Sequence, residues 1–227
     1  MTRLICSWRE NNPFRIMTDP LRKKKQFSAI NIFTVRKEKT TMNYTMEIAG
    51  LTRDLPLCKI TDDFYIAAFI CFGDAEITVA CARELLKLVP AEDYDYMLTA
   101  EAKSIPIIHE MARQSGAEKY FIARKGPKVY MPDPIRVVDR SITTKGEQAL
   151  YLGRDDAELI RGKRILLVDD VISTGGSLRA MEELVAQAGG IVTGRVAVLA
   201  EGDAAKRTDI GFLAPLPVFN GDGTIKE

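Results

Sequence analysis

Arg164-Ile-Leu-Leu-Val-Asp-Asp-Val-Ile-Ser-Thr-Gly-Gly-Ser177 is the stretch whose reading decides the fold. Four branched apolar residues in a row, Ile165 to Val168, predict a strand covered on both faces, as in the parallel sheet of an α/β domain. Paired carboxylates follow at Asp169 and Asp170, then a small-residue turn, and then a helix from Ser177. Such a turn offers backbone N–H groups and hydroxyls at a helix N-terminus, where dipole and unpaired donors favour a phosphate. Gly175 and Gly176 let the backbone approach it closely. Two carboxylates beside that cradle would repel the phosphate. They suit vicinal hydroxyls or a cation. The glycines are not followed by Gly-Lys-Ser/Thr, so this is no Walker A loop, and the Gly-x-Gly-x-x-Gly of a dinucleotide site is absent.

Working outward, the flanking sequence alternates strands and helices. Extended pieces are expected at 44–48 and 51–57, with Pro56 favouring an edge. The apolar stretch 64–72 is ambiguous between strand and helix. A helix is expected over 74–88 with Asp74 as N-cap, a strand over 94–99, a helix over 105–114 and a strand over 119–123. Residues 126–148 are rich in Pro, Gly, Thr and charge, and read as a long mobile hairpin bracketed by strand-like pieces at 135–138 and 149–152. The strand 164–168, a helix over 177–188 stopped by Gly189-Gly190, and a strand over 191–199 complete the pattern. Ligand loops of such a sheet follow the carboxyl ends of its strands, here after Thr99, Ala123 and Val168.

The chain of 227 residues, 46% hydrophobic and 28% charged, has the length and composition of one globular domain with a full core. No apolar stretch has the length of a membrane span. Cys6, Cys58, Cys71 and Cys81 show no C-x-x-C spacing and His109 is the only histidine, which argues against structural zinc and for a reducing, cytoplasmic setting. Residues 1–41 hold ten Lys/Arg against three Asp/Glu, so this +7 segment leaves −6 for residues 42–227 in a chain of net +1. The basic run Arg22 to Lys25 and the lack of periodicity make 1–41 a disordered leader or an upstream extension of the reading frame, with a targeting presequence as the rival. Residues 42–227 are expected to be the single folded domain.

Residues 165–177 resemble the PRPP (5-phosphoribosyl 1-pyrophosphate) motif of type I phosphoribosyltransferases. The resemblance implies their fold: a mostly parallel twisted sheet with flanking helices, a small N-terminal hood (about 42–72) on a core (about 73–220), and a flexible loop. It implies that Asp169 and Asp170 hold the ribose 2- and 3-hydroxyls and stabilise the sugar cation, while Ser173, Thr174, Gly175, Gly176 and Ser177 wrap the 5-phosphate. Thr99-Ala-Glu-Ala-Lys-Ser-Ile105 is similar to the family's pyrophosphate loop, which reads Glu-Ala-Arg-Gly or Glu-Ala-Ser-Gly and often holds a non-proline cis peptide. Ala102, Lys103 and Ser104 would contact pyrophosphate, Ser104 standing where the pattern has glycine. Arg124-Lys-Gly-Pro-Lys128 resembles the start of the closing loop, so Arg124, Lys125 and Lys128 join the PRPP set, with 141–147, including Lys145, as the returning half. Lys103 and Arg124 are the catalytic cations beside Asp169 and Asp170.

Two further similarities point to the adenine branch: Ala197 to Glu201 followed by Phe212 to Phe219 is similar to the ending of adenine phosphoribosyltransferases, and Gly50 to Asp63 stands in the position of their N-terminal hood, with Lys59-Ile-Thr-Asp62 in place of the family's Phe-Arg-Asp. The resemblance then implies a purine phosphoribosyltransferase, nearest the adenine enzyme. Val171 and Ile172 would lie near the base, and Lys59 and Ile60 would supply hood contacts. Glu101 and Glu147 are the candidates for a general base. Mg²⁺ is the implied cofactor, held mainly by PRPP beside Asp169 and Asp170 without direct protein ligation. Partners are PRPP, a purine base and a second copy of the chain in a homodimer, with no specific nucleic acid and no membrane. The alternatives are a xanthine or guanine phosphoribosyltransferase, or a regulator that binds PRPP without turnover. The PRPP-binding repressors carry a DNA-binding domain, for which 1–41 is too short.

Overall fold

The computed structural model describes residues 42–139 and 148–226. The expectations for 1–41 and for 141–147 therefore lie outside the described residues. A five-stranded parallel sheet forms the centre, in the order β10 (Gly211–Leu216), β9 (Ile191–Glu201), β8 (Arg164–Ile172), β4 (Tyr96–Ala100), β5 (Tyr120–Ala123). Every pairing in it is parallel.

The apolar run of β8 is covered on both faces, as its composition requires. Ile165 and Leu167 face α4 (Gly176–Gln187) and α3 (Arg154–Ile160), in a core shared with Leu178, Met181, Leu184 and Ile160. Leu166 and Val168 face α1 (Ala75–Leu86) and α2 (Ile105–Ser115), packing with Ile77, Leu85, Ile107 and Met111. Asp74 caps α1 by accepting the Ile77 N–H at 3.0 Å, and α2 stops at Gly116 with φ +75°.

A second, small sheet joins both ends of the described chain. β1 (Asn43–Ile48), β2 (Leu51–Thr61) and β3 (Phe64–Ala67) form an antiparallel meander, and β11 (Val218–Phe219) pairs with β3. The ambiguous stretch 64–72 therefore divides. It is a strand to Ala67, then an irregular strap in which Phe69 and Cys71 are buried and Ile70 and Phe72 exposed. β6 (Ile135–Asp139) and β7 (Gln148–Leu152) form the expected hairpin. Its base is packed rather than loose, since Val137, Leu150 and Leu152 belong to the core.

Several elements differ from the sequence reading. The helix α3 and the strand β10 were not expected: α3 is only seven residues long, too short to show a period, and the run of β10 holds Gly211 and Pro215. β8 continues four residues beyond Val168, because β9 supplies partners as far as Ala200. The paired acids thus belong to the strand, not to the loop after it. Leu167 is fully buried. Leu167→Ala is expected to cost about 2–5 kcal/mol of unfolding free energy, read as a lower midpoint in chemical denaturation.

Candidate functional site

The chain passes from β4 outward to β5, then returns to place β8 on the other side of β4. Such a reversal of strand order opens a crevice at the carboxyl ends of the strands. The registers show where it opens. β4 pairs with β8 only as far as Leu98 with Leu167, while β4 stays on β5 to Ala100 with Ala123 and β8 stays on β9 to Ile172 with Ala200. A cavity of about 480 Å³ lies at this divergence, lined by Ala100 to Lys103 after β4, Lys125 after β5, Asp169 to Val171 on β8, and Ser177 on α4.

Asp169 and Asp170 are both buried. The Ser104 hydroxyl lies 2.9 Å from Asp169 Oδ1 and 3.0 Å from Asp170 Oδ1, and the Asp170 N–H donates to Asp169 Oδ1 at 2.9 Å. Lys103 Nζ forms an ion pair with Asp170 Oδ2. Burial first, then the neighbouring Asp170 charge, raise the Asp169 carboxyl well above the usual carboxylate range.

The loop after β4 contains a cis peptide between Glu101 and Ala102. Glu101 gathers the next loop: it accepts the Lys125 N–H at 2.9 Å and lies 3.4 Å from Arg124 Nη2 and 3.9 Å from Lys128 Nζ. Below the loop, the Cys71 thiol donates to the Lys103 carbonyl, with sulfur and oxygen 2.9 Å apart, and burial pushes this thiol up to about 11.

The turn after β8 is shaped by Gly175, whose φ of +76° is left-handed backbone that side chains disfavour. Two guanidinium groups overlook it. A Cβ on Gly175 would lie 2.8 Å from Arg207 Nη1 and 3.4 Å from Arg179 Nη1. Arg179 donates to the Thr174 carbonyl at 3.1 Å, and Arg207 is held by a two-pronged pair with Asp209 at 2.9 and 2.7 Å. Glu201, buried at the end of β9, is pushed up by desolvation, opposed by a hydrogen bond from Ser173 and by the Lys103 charge.

The structure thus brings Asp169, Asp170, Val171, Ala102, Lys103, Lys125 and Ser177 to one cavity, with Arg124 and Lys128 gathered on Glu101 at its edge. Ser173, Thr174 and Gly175 form the turn that joins Ile172 to α4, whose first two residues are Gly176 and Ser177. Three placements depart from the sequence reading. Ile172 alternates away from Val171 and is 2% exposed in the α4-side core, so it is not a cavity residue. Lys59 and Ile60 lie exposed at the β2–β3 turn, where Lys59 pairs with Asp62, and they do not line the cavity. Lys103 lines the cavity as expected, paired there with Asp170. Ser104 is 1% exposed and lies behind the cavity wall.

Arg179, Arg207 and Glu201 escaped the sequence reading. Arg207 lies in the charge-rich segment after β9, which carries no spacing of its own, while Arg179 on α4 and Glu201 at the end of β9 stand in no motif. Among the described residues, no group of three or more His, Cys, Asp or Glu side chains is arranged to hold a metal, and no helix is long and apolar enough to cross a membrane.

The family model "Phosphoribosyl transferase domain" matches residues 94–213. The chain is 32% identical over 115 residues to the hypoxanthine/guanine phosphoribosyltransferase of Methanohalophilus mahii, which is 51% of this chain and 56% of that protein. It is 42% identical over 76 residues to the adenine phosphoribosyltransferase of Corynebacterium jeikeium, about 34% of this chain and 35% of the relative. The chain therefore spans little more than half the length of the first and about a third of the second. The crystal structure of the adenine phosphoribosyltransferase from Rhodothermus marinus superposes with a TM-score of 0.55, covering 77% of this chain and 94% of that one at 19% identity. This likeness is one of fold.

Two outcomes follow from the site's geometry. The raised Asp169 carboxyl means that the folded chain holds a proton more tightly than the unfolded chain. Its stabilising effect is present at low pH and is lost as pH rises from the ordinary carboxylate range through the raised value. Asp169→Asn is therefore expected to raise stability of the ligand-free protein more at pH 8 than at pH 4, by roughly 1–3 kcal/mol. Thermal melts at the two pH values measure this, and an equal shift at both would contradict it. Gly175→Val should fold yet bind PRPP more weakly, since a β-branched residue is strained at this φ. Titration calorimetry showing unchanged affinity would place the phosphate elsewhere.

Proposed function

The chain belongs to the phosphoribosyltransferase family, and from that membership and the cavity we propose that it transfers the 5-phosphoribosyl group of PRPP to a purine base, releasing pyrophosphate. The observation that carries this reading is the convergence, at the reversal of strand order, of two buried carboxylates, a glycine turn opening a helix, and cationic loops after β4 and β5.

In this reading Asp169 and Asp170 accept hydrogen bonds from the ribose 2- and 3-hydroxyls. The turn 173–177 binds the 5-phosphate through its N–H groups and hydroxyls. As the bond from the anomeric carbon to pyrophosphate oxygen breaks and the bond to purine nitrogen forms, the proton on that nitrogen passes to Glu101, the general-base candidate that lines the cavity, and positive charge on the sugar is stabilised by the two carboxylates. Lys103, Lys125, Arg124 and Lys128 stabilise the departing anion. Lys103 exchanges Asp170 for pyrophosphate as substrate enters. Asp169 and Asp170 present hard oxygen donors of the kind Mg²⁺ takes. Both are already engaged by Ser104, so the cation would arrive on PRPP and sit beside them, neutralising the leaving group's charge. Val171 faces the base. The small sheet, about 42–72, would act as a hood over a core of about 73–220, and the β6–β7 hairpin would close over the substrate. A cytoplasmic homodimer is the assembly that fits.

Adenine is the base we assign first, on the ending of the chain and on the 42% identical stretch shared with the C. jeikeium enzyme. Hypoxanthine or guanine is the second reading, favoured by the M. mahii relative, whose match is longer. A panel of radiolabelled adenine, guanine, hypoxanthine and xanthine with PRPP and Mg²⁺ is expected to give nucleotide and pyrophosphate with adenine fastest. Fastest turnover with a 6-oxopurine would favour the second reading. PRPP binding without pyrophosphate release from any base would favour a sensor. In the same assay Asp170→Asn is expected to lose about 10²–10³ in turnover while remaining folded. Wild-type rates in that variant would remove the carboxylates from the mechanism.

A further inference from the structure

Ser104 begins α2, where a serine side chain ordinarily accepts a hydrogen bond from the helix's own first-turn N–H groups. It makes no such bond here. Its hydroxyl instead reaches across 65 and 66 residues of sequence to Oδ1 of Asp169 and of Asp170, at 2.9 and 3.0 Å. The residue is 1% exposed, and the cavity is lined by its neighbours Ala102 and Lys103 but not by Ser104 itself. A hydroxyl has one hydrogen to donate and lone pairs to accept with. Seated between two buried acids, it draws the two Oδ1 atoms to a single point and fixes both carboxylates relative to the loop after β4.

We propose that Ser104 is a positioning residue: it touches no substrate, and it ties the carboxylates that hold the ribose to the loop that holds the pyrophosphate, so that the two subsites form as one unit. The proposal rests on the reading of the cavity as a PRPP site. It differs from the expectation that Ser104 contacts pyrophosphate, since its side chain is turned to the acids behind the wall. The same packing explains why two acids adjacent in sequence stay together at the head of the cavity: both meet the single Ser104 hydroxyl, and Asp170 has Lys103 besides.

The three substrate fragments separate the roles. PRPP, ribose 5-phosphate and pyrophosphate, each with Mg²⁺, are titrated by calorimetry into the wild-type chain and into Ser104→Ala, Ser104→Gly and Ser104→Thr, with melting temperatures recorded for all four. Loss of a hydrogen bond to a buried charged group implies about tenfold weaker binding of PRPP and ribose 5-phosphate in the Ala and Gly variants. Pyrophosphate should stay within about twofold, and Thr, which keeps the hydroxyl, should stay near wild type. The Gly variant keeps the test open where Ala fails to fold. A loss for pyrophosphate as large as that for ribose 5-phosphate would mean direct contact and overturn the proposal. So would a lowered melting temperature with all affinities unchanged, or a Thr variant as weak as Ala. A wild-type chain that binds no PRPP would instead remove the PRPP reading itself, and this assignment with it.

Discussion

The constraint on which the rest of this structure depends is the position of β8 between β4 and β9, buried on both faces. Ile165 and Leu167 are committed to one layer of helices, Leu166 and Val168 to the other. A strand held so leaves no freedom for its register, because a one-residue slip would exchange the two faces. Its carboxyl end is therefore placed with the accuracy of the core. β9 accompanies that end to Ala200, while β4 leaves it at Leu98. The cavity is the consequence of that unequal pairing, and its acids sit where the ladder is intact on one side and open on the other.

Charge in the cavity is arranged in pairs. Asp170 meets Lys103, and Glu101 meets Arg124 and Lys128. Partly buried charges are costly unless partnered, and here Lys103, Arg124 and Lys128 each rest on a carboxylate of the same site. Entry of the phosphorylated ligand we propose would then exchange one anionic partner for another rather than desolvate bare cations. The loops after β4 and β5 are linked by the same device, since the Lys125 N–H donates to Glu101. The site is one electrostatic unit built from three strand ends.

Much of the fold was legible because its signals are local. The four-residue apolar run, the Asp74 cap, the helix stop at Gly116 and the apolar face of α4 each declare themselves within a dozen residues. The short helix α3 and the Pro-containing strand β10 did not, since seven residues give no clear period and Pro and Gly oppose strand propensity. Their order comes from packing: Ala157 and Ile160 of α3 join the α4-side core, and Leu216 of β10 joins the other. Ile172 shows the same limit within the site. Its neighbour Val171 lines the cavity, and only the alternation of a strand that continues past the acids reveals that Ile172 faces inward.

The sequence by itself determined the chemistry on offer: paired acids at the end of a buried strand, a glycine turn opening a helix, and two loops carrying cations. These are contiguous patterns, and their meaning follows from backbone geometry and charge within one short segment. Only the tertiary structure decided who meets whom. Ser104 on Asp169 and Asp170, Lys103 on Asp170, Glu101 on the β5 loop, and Arg207 over Gly175 join residues between about 20 and 70 positions apart. Such meetings are set by strand order and register, which depend on burying two faces of one sheet at once, and no local pattern encodes that requirement.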